Sequence, residues 1–154
     1  MMRHVPYVNE EVANRDFKYY IFDWDDNILH MPTKIKMEHK DVDGVWKSVE
    51  LSTSTFALVR TDTEHYRPPT IGGWDEAFRN FEDSESDDEP NRFIEDTLIA
   101  LAKVANGEKP SPSYNTFRKT LIEGRIFAIV TARGHAPSTI EKAVRVFIDN
   151  ALTP

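Results

Sequence analysis

The chain contains no cysteine. Disulfides, thiolate metal sites and cysteine nucleophiles are therefore excluded. The absence of cystine fits an intracellular setting, so a cytoplasmic protein is the expectation. Long apolar runs are missing as well. None approaches the roughly 18 residues that a membrane-spanning helix requires. Met1 to Asp16 is polar and mixed and lacks the apolar core of a signal peptide. No membrane partner is expected. An excess of base is also absent, since 26 acids stand against 19 bases for a net charge of −7. That balance argues against a nonspecific nucleic-acid coat, which shows a basic stripe, but leaves room for a local basic pocket. There is no internal repeat. The one biased tract, Glu82 to Glu89, is acidic and polar and reads as a mobile solvated loop.

What remains is an ordinary globular composition. The chain has 154 residues, 40% hydrophobic and 29% charged, enough for one domain with a real core. Its most informative stretch is Tyr19-Tyr20-Ile21-Phe22-Asp23-Trp24-Asp25-Asp26-Asn27-Ile28-Leu29. An apolar, β-prone run over Phe17 to Phe22 stops at three carboxylates and an amide. Crowded carboxylates repel one another and need a cation or a chemical task to offset the cost. In a continuing strand Asp23 and Asp25 would share one face. One could attack an electrophile and the other move a proton. A calcium loop is excluded, because Ile28 and Lys34 stand where its glycine and glutamate belong. Trp24, between the acids, is read either as packing or as stacking on a substrate.

Downstream, Thr33 to Lys40 and Val45 to Ser52 alternate at strand period around the turn Asp41-Val42-Asp43-Gly44, which predicts a hairpin. Its lysines read as a solvated face. Leu51 to Asp62 fits a helix or a strand, and Trp74 to Phe81 fits a short helix. A helix starting at Asp88-Glu89-Pro90 carries Phe93, Ile94, Thr97, Leu98, Leu101 and Val104 on one face, with Gly107 as its stop. Tyr114, Phe117, Leu121 and Ile122 predict another, closed by Gly124. Ile126 to Val130 is a continuous apolar run, the pattern of a parallel strand buried on both faces. Ser138-Thr139-Ile140-Glu141 is a capping box, and Ile140, Ala143, Val144, Phe147 and Ile148 form a helical stripe behind it. The order strand, insertion, helix, helix, strand, helix predicts an α/β layered sheet. Ligands gather at the carboxyl ends of strands in such sheets. Both polar signals, Asp23 to Asn27 and Thr131 to His135, stand at such ends. His135 reads as a surface residue of its loop.

These two segments resemble the motifs of the haloacid dehalogenase-like (HAD) superfamily. Its first motif, an apolar strand followed by Asp-x-Asp-x-Thr/Val, is matched by Ile21 to Leu29. Its second, an apolar strand ending in Thr or Ser, is matched by Ile126 to Thr131, followed by Ala132-Arg133-Gly134. The resemblance implies a HAD-like, Rossmann-like parallel sheet with flanking helices over residues 1–154. It also implies a small hairpin-containing cap inserted over residues 30–88. The implied activity is Mg²⁺-dependent hydrolysis of a phosphomonoester, on a small molecule or a nucleic-acid end. Asp23 would be the nucleophile that forms an aspartyl-phosphate, and Asp25 the acid and then the base. Asp23 and Asp25 would hold Mg²⁺, the latter through its main-chain carbonyl. Thr131 would bind a phosphoryl oxygen together with the backbone at Ala132, and Arg133 would add a guanidinium to the substrate.

The chain departs from the family pattern at three points. Asp26 stands where glycine is common and Asn27 where threonine is common. The family's later lysine and further metal-binding acids are not found between Thr131 and Pro154. A domain incomplete at its C-terminus, with an open sheet edge, is therefore expected. A HAD-like domain that binds a phosphorylated ligand or a protein partner without catalysis remains the alternative. An unrelated α/β domain with an acidic loop is the third reading.

Overall fold

The computed structural model describes residues 2–5, 17–84 and 91–152. In chain order the elements are strands β1 (Met2–Val5) and β2 (Phe17–Asp23), the hairpin β3 (Ile35–Lys40) and β4 (Trp46–Leu51), and helix α1 (Thr53–Val59). Strand β5 (Tyr66–Arg67), helix α2 (Gly73–Ala77) and a 3-10 turn at Arg79–Phe81 follow. Then come α3 (Arg92–Ala105), α4 (Tyr114–Ile122), β6 (Ile126–Val130) and α5 (Pro137–Phe147), which runs into a π-helical turn at Ile148–Leu152. The chain is α/β, with one parallel strand pair, an antiparallel sheet and helices. Its contacts divide it into two compact units: Met1–Met31, Thr97–Ala132 and Ile140–Pro154 form one, Pro32–Asp96 and Arg133–Thr139 the other. No described helix is long and apolar enough to cross a membrane.

The first unit is built on the sheet β1-β2-β6. The aromatic and β-branched run of β2 pairs in parallel with β6, Tyr19 opposite Ile126 and Asp23 opposite Val130. Strand β1, not anticipated from its polar sequence, adds antiparallel to β2 through backbone bonds that do not depend on side-chain type. Phe117 of α4 is fully buried and is the hub of the core. Its ring lies 5.0 Å from that of Phe22, 5.4 Å from Phe127 and 4.9 Å from Phe147. Edge-on pairs of this kind add to the area they bury. Gly124, at φ 64°, makes the left-handed turn that ends α4 and feeds β6.

The apolar run of β6 is not buried on both faces as its sequence suggests. Phe127 packs on Phe117, whereas Ile126 is 73% and Val130 60% exposed on the opposite side. The alternation is that of a strand with one covered face. In α5, Ala143 and Phe147 are buried and Ile140 and Val144 half-buried, while Ile148, in the turn that follows, is partly exposed.

The second unit holds the sheet β4-β3-β5, all antiparallel. Ile35 and Met37 on one face of β3 form its core with Ala77, and Val49, Leu51, Phe56, Tyr66, Phe78 and Phe81 pack around them. The predicted hairpin is present. Its turn is held by Asp41, whose carboxylate accepts the N–H groups of Asp43 and Val45, both at 2.9 Å. On the other face of β3, Lys36 is tied to Glu76 at 3.0 Å and Glu38 to Arg67 at 2.7 Å. The stretch after Leu51, whose sequence fits a helix or a strand, is the helix α1, and the Ser52 hydroxyl caps it by accepting the Thr55 N–H at 3.1 Å.

Two readings of the helices are corrected. The inward face of α3 carries Phe93, Asp96, Thr97, Ala100 and Leu101, while Leu98 is 44% exposed. Helix α5 begins at Pro137, so Ser138 lies inside it and does not act as a capping box. Its cap comes from Asp83, whose carboxylate accepts the Ala136 N–H and the Thr139 hydroxyl, both at 2.9 Å. The helix start expected at Asp88 and the acidic tract after Ser84 lie outside the described residues.

Candidate functional site

Strand β2 does not continue past Asp23, so the two-residue spacing of Asp23 and Asp25 is not read out on one strand face. The chain folds into a tight turn instead. The Trp24 carbonyl accepts from the N–H groups of Asn27, Ile28 and Leu29, and the Asp26 N–H bonds back to Leu29 O at 2.8 Å. Trp24, Ile28 and Leu29 are fully buried. The tryptophan therefore packs, with its ring 6.4 Å from that of Phe117 and its indole N–H on Met31 Sδ. These apolar anchors hold the polar residues between them in place. Asp23 and Asp26 are exposed, and Asp25 and Asn27 half-buried.

The turn requires a left-handed residue, and Asp26 supplies it at φ 60°. This is the position where the family pattern favours glycine, and aspartate is among the few other residues that adopt this conformation at modest cost. The Asp26 carboxylate is committed to His30 Nδ1 at 3.0 Å.

The loop before α4 braces the same turn. The Ser113 N–H donates to Asn27 O at 2.7 Å, and the Ser111 hydroxyl donates to Ile28 O. Together these elements border an open cavity of about 550 Å³ lined by Ile21, Phe22, Asp23, Asn27, Ser113, Val130, Thr131 and Ala132. The structure therefore brings Asp23, Thr131 and Ala132 together at the carboxyl ends of the paired strands β2 and β6.

Asp25 and Arg133 do not line this cavity. The Asp25 main-chain oxygen accepts Asn27 Nδ2 at 3.1 Å, and the same nitrogen lies 3.4 Å from Asp23 Oδ2. Two hard oxygens, one from each acid of the motif, thus converge on a single donor. A Mg²⁺ ion, which takes few protein oxygens and keeps several waters, would have to displace the Asn27 amide to use this pair. Among the described residues, no three His, Cys, Asp or Glu side chains are grouped to hold a metal on their own.

Arg133 is 6% exposed. Its guanidinium donates to the Thr33 hydroxyl at 2.8 Å and lies over the rings of Phe81 at 4.6 Å and Phe93 at 4.9 Å. Thr33 in turn donates to the buried Asp96 carboxylate at 2.6 Å. Arg133 is thereby used as packing and as a donor within the second unit.

His135 is buried rather than on the surface, stacked 4.6 Å from Phe93 and bonded through Nδ1 to Asp83 at 3.0 Å. Desolvation is the largest influence on Asp83 and pushes its carboxyl up. The bonds from Ala136, His135 and Thr139 together outweigh it, leaving the group below its ordinary value.

Sequence reasoning missed Ser113, Asp83 and Asp96. Ser113 is a serine directly before an amphipathic helix, a signal of a helix start. Asp83 is hidden among other acids, and its partner Ala136 lies 53 positions away. No local pattern marks such a contact. The chain matches no family model, no curated protein and no solved structure.

Proposed function

We propose that this chain is a HAD-like phosphohydrolase domain acting on a phosphomonoester. The observation that carries the reading is the shared cavity of Asp23 and Thr131, set by the parallel register of β2 and β6. Asp23 is exposed at the cavity wall, where a carboxylate oxygen can reach phosphorus. Its attack forms the new O–P bond as the bond to the leaving oxygen breaks. Asp25 does not line the cavity itself but stands in the turn between two residues that do, Asp23 and Asn27, and from there gives that oxygen its proton. Asp25 then takes a proton from the water that attacks phosphorus as the bond to Asp23 breaks, which frees the Asp23 carboxylate and releases phosphate. The assignment of Asp25 follows the second acid of the motif that this turn resembles.

The Thr131 hydroxyl donates to a phosphoryl oxygen, and the backbone at Ala132 flanks it. The oxygens of Asp23 and the Asp25 main chain would hold Mg²⁺, which when bound offsets the negative charge gathering on the phosphoryl group. The buried Trp24, Ile28 and Leu29 keep the turn rigid, so the carboxylates need not reorganise during the reaction.

A second reading, phosphoryl binding without turnover, is favoured by one feature. Among the described residues, no lysine or arginine lines the cavity. The deciding experiment is hydrolysis of an aryl phosphate with and without Mg²⁺ by the wild type and by Asp23→Asn. Metal-dependent release abolished in the variant supports the enzyme. Equal background rates in both, with phosphate still bound, select the second reading.

A further inference from the structure

We propose that the Ser113 hydroxyl is a phosphoryl-binding group of the cavity, a contact the family resemblance does not supply. The inference rests on the phosphoryl reading of that site. It begins from a contrast between two serines that precede helices. Ser52 has extended backbone, φ −66° and ψ 160°, and its hydroxyl caps α1 by accepting the Thr55 N–H. Ser113 holds the same place before α4 at φ −101° and ψ 2°, and its side chain makes no capping bond. A serine at a helix start ordinarily uses its oxygen on the backbone. Here that use is forgone.

Two facts about Ser113 explain the exception. Its N–H is spent on Asn27 O at 2.7 Å, which fixes its backbone against the acidic turn. The residue also lines the cavity with Asp23, Asn27 and Thr131. A phosphoryl group there meets no cationic side chain among the described residues of the cavity wall. Neutral donors must then carry more of the recognition. A hydroxyl on the same cavity as Thr131 gives a second O–H donor to an anionic oxygen, a strong class of hydrogen bond. The start of α4 beside it carries the partial positive charge of a nine-residue helix.

Ser113→Ala tests the hydroxyl alone, because it keeps the N–H that braces Asn27. Ser113→Thr restores the hydroxyl. The probe is inorganic phosphate with Mg²⁺, titrated calorimetrically into the wild type and both variants, each first shown to melt as the wild type does. The expected result is phosphate binding weakened about tenfold in Ser113→Ala and largely recovered in Ser113→Thr. Wild-type affinity in Ser113→Ala overturns the Ser113 inference and leaves the phosphoryl site standing. No phosphate binding by the wild type, with no hydrolysis, overturns both. Should Ser113→Ala melt early, Ser113→Thr and Ser113→Asp decide instead. Threonine must bind, aspartate must repel phosphate, and equal affinity in these two sinks the proposal.

Discussion

Asp23 and Val130 face each other as the last pair of the parallel ladder between β2 and β6. The residue after Val130 is Thr131, so the carboxylate of one strand and the hydroxyl that follows the other open on the same cavity. The pairing is a consequence of register, and a one-residue slip would turn each side chain to the other sheet face. Thr131→Val keeps the shape and removes the hydroxyl. If Thr131 binds a phosphoryl oxygen, kcat/KM for an aryl phosphate falls about 10- to 100-fold, with an unchanged melting curve. Thr131→Ser should recover most of that loss. Unaltered turnover in Thr131→Val would remove the residue from the site.

The left-handed Asp26 sets a second expectation. A β-branched residue at this φ is strained, so Asp26→Val should lower stability by about 1–2 kcal/mol. Asp26→Gly fits the conformation and forfeits an exposed contact with His30, worth at most about 1 kcal/mol. Urea unfolding should therefore rank glycine and aspartate close together and valine well below. A valine variant as stable as the wild type would mean that the turn adopts another conformation in solution.

The hairpin, α4, β6 and the positions of Asp23 and Thr131 were legible because each rests on local pattern. Alternation, helical spacing and an apolar run ending in polar residues are written within a few positions. What was not legible came from partners distant in sequence. Arg133 reads as a guanidinium for a substrate, yet it lies over Phe81 and Phe93 and donates to Thr33. His135 follows it inward to Asp83. Leu98 shares the apolar character of its neighbours on α3, but Asp96 takes the inward place because Thr33 waits there to donate to it. Hydrophobicity alone ranks those two residues the wrong way round.

Phe117 carries the third expectation. Its ring touches those of Phe22, Trp24, Phe127 and Phe147, so one truncation opens a gap against both strands and α5. Phe117→Ala should cost about 3–5 kcal/mol, a large share of what a domain of this size has. Phe117→Leu should cost less, since much of the volume remains. The denaturant midpoint reports the loss, and near-ultraviolet circular dichroism reports the packing around Trp24. A small change in both would show that neighbouring side chains close the gap.

Asp83 gives the last expectation, through pH. Its carboxylate holds the Ala136 N–H, the Thr139 hydroxyl and His135, and its pKa is lowered in the folded chain. A carboxyl more acidic when folded than when unfolded contributes stability that is complete above the unfolded value. That contribution is lost as pH falls through the folded one. The loss therefore belongs below about pH 4, where an ordinary aspartate takes up its proton. Asp83→Asn keeps one oxygen acceptor but does not titrate as an acid. At neutral pH the wild type should be more stable than Asp83→Asn by about 1 kcal/mol, the scale of a helix cap. Melting both proteins at steps from about pH 5 to about pH 3 isolates the carboxyl, and the gap between them should close toward the acid end. A gap that stays constant across that range would assign the effect of the substitution to packing and not to the charge of Asp83.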